Sequence, residues 1–394
     1  MTKEFDLIIY GATGFTGKLA AKYVTAKNKS ENLKIAIAGR NRKKLEEVLN
    51  SCEVKPKIIV ADSTKPETID EMVKKTKVIL SFAGPFTLYG EPIIAACAEH
   101  GVDYLDITGE TLFIRSMIEK YQDLAKKTGA TLIPFSGFDS VPADLSMFLA
   151  MKEAKFKNLK LDEYQFYYKA RGGFNGGTLA TALHIAKYKD KRDLYDPNLL
   201  VLDGKWPKIK ADVNLKPYLE KYFDSWAIPF FMSPINTAVV KRSAWLNAKL
   251  GDDQGKFRYS ELLLMGKYWK AFLGVLTLAT FGLLTKSSFG RKIIAKLGPK
   301  PGEGPSDEVR NNGFFKGQLL GKSDSKPKLV VSIESKGDPG NNITVALAVE
   351  SALLAAQDSY VNNLKGFVTP SIAFGDKLVA RLKDAGFKFS VTVN

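Results

Sequence analysis

Three glycines, in the run Gly11-Ala12-Thr13-Gly14-Phe15-Thr16-Gly17, are the first residues of this chain whose spacing suits a chemical task. A short apolar run, Phe5-Asp6-Leu7-Ile8-Ile9-Tyr10, precedes them, and a helical pattern follows to about Lys27. Strand, glycine turn and helix form the setting in which such a triplet binds a dinucleotide. One glycine makes the tight turn, one lets the backbone approach a pyrophosphate, and one lets helix and strand pack closely. The free N–H groups and positive dipole of the helix start then face the diphosphate. The spacing is G-x-x-G-x-x-G rather than the commoner G-x-G-x-x-G. Glycine turns also serve purely structural ends, so the flanking strand and helix carry the assignment.

Arg40 closes a second strand, Lys34 to Gly39. A carboxylate there would take the ribose 2′-hydroxyl of NAD, whereas an arginine suits the 2′-phosphate of NADP. Arg42, Lys43 and Lys44 add positive charge, and Asn41 reads as a helix N-cap. The expected cofactor is NADP(H). Asp62 ends a third strand, where it suits either an adenine contact or the capping of the turn at Ser63-Thr64. Ala83, Gly84 and Pro85 follow a fourth strand, at the strand ends where ligands of doubly wound sheets bind.

No proton donor stands out. Thr108, Glu110, Ser136 and Asp139 are polar residues at later strand ends and form the candidate set. Asp139 reads more readily as an N-cap, since Ser140-Val141-Pro142 looks like a helix entry. His100 sits in the last turn of a helix and reads as a dipole partner. Two cysteines and two histidines leave almost no metal ligands, so no metal is expected.

The elements that position these residues alternate strand and helix through residues 1–145, which argues for an α/β, Rossmann-type parallel sheet. The chain has 394 residues, more than the roughly 100–200 of one compact domain. An α+β substrate or dimerisation domain is expected over 146–365, with a strand over an apolar pocket at 161–170 and a glycine-rich stretch at 171–178. Hydrophobic residues make up 45% and charged residues 25%, which excludes disordered and low-complexity classes. The cysteine count points to a reducing compartment, and the expected location is cytoplasmic. The net charge of +16 invites anionic partners. No basic cluster is interleaved with stacking aromatics, so nucleic acid is not expected.

Ala271 to Thr285 is an uncharged run with Tyr268 and Trp269 at its edge and basic residues on both flanks. It is shorter than the about 20 residues of a spanning helix. Three readings stay open: contact with an anionic membrane or lipid surface through 267–296, a homodimer or domain interface, and plain core.

Together these residues resemble the saccharopine dehydrogenase-like oxidoreductases, in the branch that contains the trans-acting enoyl reductases of mycobacterial lipid synthesis. The matching blocks are Gly11–Gly17, Ala38-Gly39-Arg40, Ala83-Gly84-Pro85-Phe86 with Gly90, and Tyr104 to Glu110. Gly137-Phe138-Asp139-Ser140-Val141-Pro142, Gly302 to Ser306, Gly337-Asp338-Pro339-Gly340, Glu350 to Leu353 and Thr369-Pro370-Ser371 follow in the family's order. Two positions depart from the pattern: the small-residue motif reads Gly173-Phe174-Asn175-Gly176-Gly177-Thr178, and Asn341 stands where a tyrosine is expected.

The resemblance implies an NADP-dependent oxidoreductase that reduces a carbon–carbon double bond of a lipid or polyketide-type acyl substrate. It also implies that a C-terminal helix, within 366–394, returns to the Rossmann domain. The alternatives are a saccharopine-type amino-acid dehydrogenase acting on a C–N bond, and a non-catalytic NADP-binding scaffold bound to lipid. Short-chain dehydrogenase chemistry needs a tyrosine with a lysine four residues on. The only such pair, Tyr23 and Lys27, lies on the first helix beside the glycine turn and reads as surface.

Overall fold

The computed structural model describes residues 3–173, 175–186, 193–202, 216–252, 255–300 and 302–394. Phe174 of the glycine-rich motif lies outside them.

The first half alternates as expected: β1 (Phe5–Tyr10), α1 (Phe15–Glu31), β2 (Ile35–Gly39), α2 (Arg42–Asn50), β3 (Lys57–Val60), α3 (Pro66–Lys74) and β4 (Thr76–Ser81). After these come α4 (Phe86–Tyr89), α5 (Glu91–His100), β5 (Asp103–Asp106), α6 (Thr111–Thr128), β6 (Thr131–Ile133) and α7 (Val141–Phe156). The second half holds β7 (Glu163–Arg171), α8 (Gly176–Ile185), β8 (Tyr218–Glu220), β9 (Ser225–Pro229), α9 (Ser233–Lys249) and β10 (Arg258–Gly266). Next are α10 (Tyr268–Lys286), α11 (Ser288–Leu297), α12 (Asp307–Asn311), β11 (Phe314–Ser323) and β12 (Lys326–Lys336). The chain closes with α13 (Thr344–Ala356), β13 (Gly366–Phe367), α14 (Pro370–Asp384) and β14 (Lys388–Val393).

Seven strands form a parallel sheet in the order β13-β6-β5-β4-β1-β2-β3. Its inner strands are continuous apolar runs, buried along nearly their whole length, because helices cover both faces. The chain order reverses between β1 and β4, so a ligand crevice opens at their carboxyl ends. The expected strands all form, but several stop earlier. β3 ends at Val60, short of Asp62, and β4 ends at Ser81. The residues beyond them are loop, free to face the crevice.

The second sheet runs β14-β12-β11-β7-β10-β9-β8. Only β7 and β10 pair in parallel; the other neighbours are antiparallel. One apolar core joins the two sheets. Leu7, Leu80 and Leu105 of the first belong to the same buried cluster as Phe166, Leu319 and Val331 of the second. α13 is buried along its whole length, as a helix apolar all round must be. The final segment serves both sheets, since β13 extends the first and β14 pairs with β12 in the second. α14 begins at Pro370, earlier than its amphipathic stretch, and bends at Gly375, where φ is +45°.

Two readings of single residues change, and one of the three readings of the apolar run is closed. Tyr23 is not a surface residue: its hydroxyl donates to Glu350 at 2.6 Å, and Glu350 is buried. Asp139 does not cap α7, whose N-cap is Ser140 without a side-chain bond. The apolar run 271–285 is not core: of all α10, only Ala271 and Thr285 are buried.

Candidate active site

Gly11 leaves β1 with φ +78°, and its N–H donates to Ala38 O at 3.0 Å. A Cβ there would lie 2.8 Å from Ala83 N, so the ends of β1 and β4 meet at the switch point with no room for a side chain. A Cβ on Gly17 would strike the Gly11 carbonyl, which holds α1 close against the turn. Gly14 differs. It is the N-cap of α1, caps with no side chain, and a Cβ on it would meet only Gly11 O at 3.4 Å. The first turn of α1 carries no acidic residue. Among the described residues no side chain caps the first N–H groups of α1, the arrangement that receives a phosphate.

Arg40 follows β2 and is exposed, without a hydrogen bond or ion pair among the described residues. The Thr13 side chain lies 3.8 Å from where a Gly39 Cβ would be, so the glycine turn and the end of β2 adjoin. Asn41 does cap α2, accepting from Lys44 N at 3.0 Å. Asp62 caps its own turn, accepting from Thr64 N at 3.0 Å and Thr64 Oγ1 at 2.9 Å. Those bonds hold its carboxyl below the usual range, and nearby Arg40 adds to the effect.

The loops after β4, β5 and β6 are braced from below. Glu110 is buried and accepts from the N–H groups of Phe86 at 2.7 Å and Thr87 at 2.9 Å, which fixes the loop carrying Ala83, Gly84 and Pro85. Thr108 Oγ1 accepts from Glu110 N at 3.0 Å. Asp106 accepts from Tyr104 OH, Thr108 N and Phe135 N. Burial pushes its carboxyl up to about 7, against the pull of those bonds. Ser136 is buried, with its hydroxyl donating to Ile133 O at 2.9 Å. Thr108, Glu110 and Ser136 are thus committed to the scaffold.

Asp139 stands apart. It is half-buried and takes no hydrogen bond among the described residues. Protein packed round the carboxyl pushes its pKa up to about 6. Its charge is felt by Tyr168 and Glu261. Glu261 accepts from Tyr259 OH at 2.7 Å and Asn236 Nδ2 at 2.8 Å, and burial pushes it up to about 8. This polar cluster draws on α9, β7 and β10. Across the crevice, Thr181 of α8 lies 3.9 Å from a Gly84 Cβ position, while Met232 and Ile235 close on Gly109. His100 lies far from this chemistry, paired with Asp70. Asp70, Glu99 and His100 are the one group with metal-ligand geometry among the described residues, and Lys74 also pairs with Asp70.

Residues 7–133 match the family of saccharopine dehydrogenase NADP-binding domains. Trans-acting enoyl reductases of Mycobacterium tuberculosis and Mycobacterium ulcerans are 32% identical over 418 residues, covering 99% of this chain and 98% of theirs. A further Mycobacterium tuberculosis protein, assigned provisionally to the same activity, is 33% identical over 416 residues with the same coverage. The chain belongs to the trans-acting enoyl reductase family. Among solved structures, saccharopine dehydrogenase from Saccharomyces cerevisiae superposes with a TM-score of 0.57 at 13% identity, covering 98% of this chain and 99% of that one. Homospermidine synthase from Legionella pneumophila, solved with NAD, gives 0.57 at 13%, covering 100% and 92%. At that identity the likeness is one of fold.

This member of the family is an oxidoreductase with a nicotinamide cofactor domain. Its two departures from the family pattern touch each other. Asn341 Oδ1 accepts from Asn175 Nδ2 at 2.8 Å, and Asn341 Nδ2 donates to Asp338 Oδ2 at 2.6 Å. Asn175 also reaches Thr16 Oγ1 at 3.4 Å, which ties the second half to the glycine turn. Both asparagines are buried, so they form one built-in bridge. Sequence reasoning marked both positions but not the bond between them, and it did not find Tyr168, Asn236 and Glu261. No local pattern marks them, because their partners come from distant segments.

Proposed function

We propose that this chain reduces a carbon–carbon double bond of an acyl substrate of lipid or polyketide type, with NADPH as hydride donor. The observation that carries the reading is full-length similarity to trans-acting enoyl reductases. The uncapped start of α1 and Arg40, exposed and unpaired among the described residues, fit the cofactor. Gly11, Ala12, Thr13, Gly14, Phe15, Thr16 and Gly17 would hold the diphosphate, and Arg40 the 2′-phosphate. Asp62 would lie toward the adenine, and Ala83, Gly84 and Pro85 toward the nicotinamide.

When bound, NADPH supplies the hydride that the β-carbon of an enoyl group accepts. The remaining work is the protein's. Reduction leaves enolate charge on the acyl carbonyl, and the α-carbon then takes a proton. Asp139 is the residue suited to supply it. It is half-buried, takes no hydrogen bond among the described residues, and has its pKa raised to about 6 by burial. Ser136 is bonded within the loop that leads to Asp139, while Thr108 and Glu110 brace the loop after β4. The deciding experiment follows NADPH consumption against a panel of enoyl thioesters, with saccharopine and 2-oxo acid–amine pairs as controls. Turnover with the enoyl substrates alone is expected. Turnover only with the amino-acid set, or none with any substrate despite NADPH binding, would overturn the reading.

A further inference from the structure

The α10–α11 hairpin projects apolar side chains that are left exposed among the described residues. Trp269, Phe272, Leu276 and Phe281 of α10 are exposed, Leu283 is 66% exposed, and Phe289 and Leu297 of α11 reach 75% and 82%. Isolated exposed apolar residues are ordinary, but a contiguous patch of this kind marks an interaction surface.

The charges identify what it meets. Residues 262–297 contain no aspartate or glutamate and six cations: Lys267, Lys270, Lys286, Arg291, Lys292 and Lys296. The five lysines are exposed, and none is ion-paired among the described residues. Arg291 is partly committed, donating to Thr285 O at 2.7 Å at the end of α10. Elsewhere on the molecule lysines and carboxylates are interspersed and pair repeatedly, as in Lys152–Asp376 and Lys316–Glu334. An apolar centre with cationic ends complements the hydrocarbon edge and anionic headgroups of a bilayer. A second copy of this surface would set lysines against lysines.

α10 is long and apolar enough to cross a membrane, but its surroundings hold it on one side. Its first turns rest on the second sheet. A Cβ on Gly274 would press on Ile228 and Met265, and Tyr268 stacks edge-on against Trp226 at 4.7 Å. α11 turns back until Gly298 abuts Leu179 of α8. Both ends of the hairpin therefore return to the same body, and α11, with 10 residues, is about half the length needed to recross a bilayer.

We propose that the α10–α11 hairpin lies in the interface of an anionic membrane. The contact through α8 gives this seat a use. α8 connects the hairpin at Leu179 to the crevice at Thr181, which faces Gly84. On the function proposed above, an acyl chain would pass from the bilayer along α8 to the cofactor. The seat itself does not depend on that function.

Flotation with phosphatidylglycerol–phosphatidylcholine vesicles tests it, with pure phosphatidylcholine as comparison and NADPH binding measured in parallel. The wild type is expected to float with the anionic vesicles at low salt and to be partly released by salt. Lys292→Ala should weaken partitioning about fivefold. L276S/F281S/L283S, changed only at exposed positions, should remain unbound while binding NADPH as the wild type does. The proposal fails if the wild type stays with the soluble fraction in both vesicle types. It also fails if hydrogen exchange shows residues 272–297 protected without lipid in a dimer that the triple variant dissociates. Loss of enoyl reduction with flotation intact would overturn the proposed function and leave the membrane seat standing.

Discussion

On the proposed function, cofactor choice turns on Arg40 and proton supply on Asp139. Arg40 is exposed at the end of β2 and meets no carboxylate among the described residues. Its charge is therefore available to a 2′-phosphate, through hydrogen bonds about twice as strong as neutral ones. Arg40→Ala should weaken NADPH binding at least tenfold and leave NADH binding nearly unchanged, measured by calorimetry. Equal losses would remove the 2′-phosphate from the account. For Asp139 the sign follows from its raised pKa of about 6. An acid must be protonated to act, so kcat/KM should fall as pH rises through about 6 and be highest below it. Asp139→Asn should lower the rate about 100-fold or more and flatten that limb. A profile that keeps its wild-type slope in the variant would assign the proton to another group.

At the scale of elements, the turn between β1 and α1 shows how three glycines divide their work. Gly11 and Gly17 are glycine because the protein itself occupies the space of a side chain. Gly14 is glycine where the space in front is open. On the proposed function, a side chain at Gly14 would fill the place of the cofactor rather than collide with the fold. Gly14→Val is accordingly expected to abolish cofactor binding while leaving the thermal transition within a few degrees of the wild type. Calorimetric unfolding with and without NADPH reads both at once, and a cofactor-induced shift equal to that of the wild type would count against the site. The glycine turn was legible in the sequence because it is local: strand, turn and helix lie within 27 residues. The Asn175–Asn341 bridge was not, since its partners are 166 residues apart.

At the scale of the molecule, the C-terminal helices lock onto the cofactor half through one buried carboxylate. Glu350 of α13 accepts from Arg381 Nε of α14 at 2.6 Å and from Tyr23 OH of α1 at 2.6 Å, with Lys27 at 3.6 Å. Arg381 also pairs with Glu31 at the end of α1. Removing one partner of a buried pair leaves a charge without compensation and costs about 3–5 kcal/mol. Arg381→Ala should fall near the lower bound, because Tyr23 and Lys27 remain. Urea unfolding measures it, and a loss under about 1 kcal/mol would show that solvent reaches Glu350.

By itself, the sequence determined the parallel sheet, the glycine turn and the arginine at the end of β2. Each is written in near neighbours: apolar runs buried on both faces, glycines at turns, one residue at a strand end. Asp62 illustrates the limit, since both its readings fit the sequence and only the fold shows its bonds to Thr64. Tertiary structure alone decided which polar residues are spent on the scaffold. Thr108, Glu110 and Ser136 look like Asp139 in sequence, yet of the four only Asp139 is left without a hydrogen bond among the described residues. It also decided that 271–285 stands outside the core, because an apolar run reads the same whether or not the fold covers it. Periodicity and composition report which residues seek burial; whether they obtain it depends on what the rest of the chain brings against them.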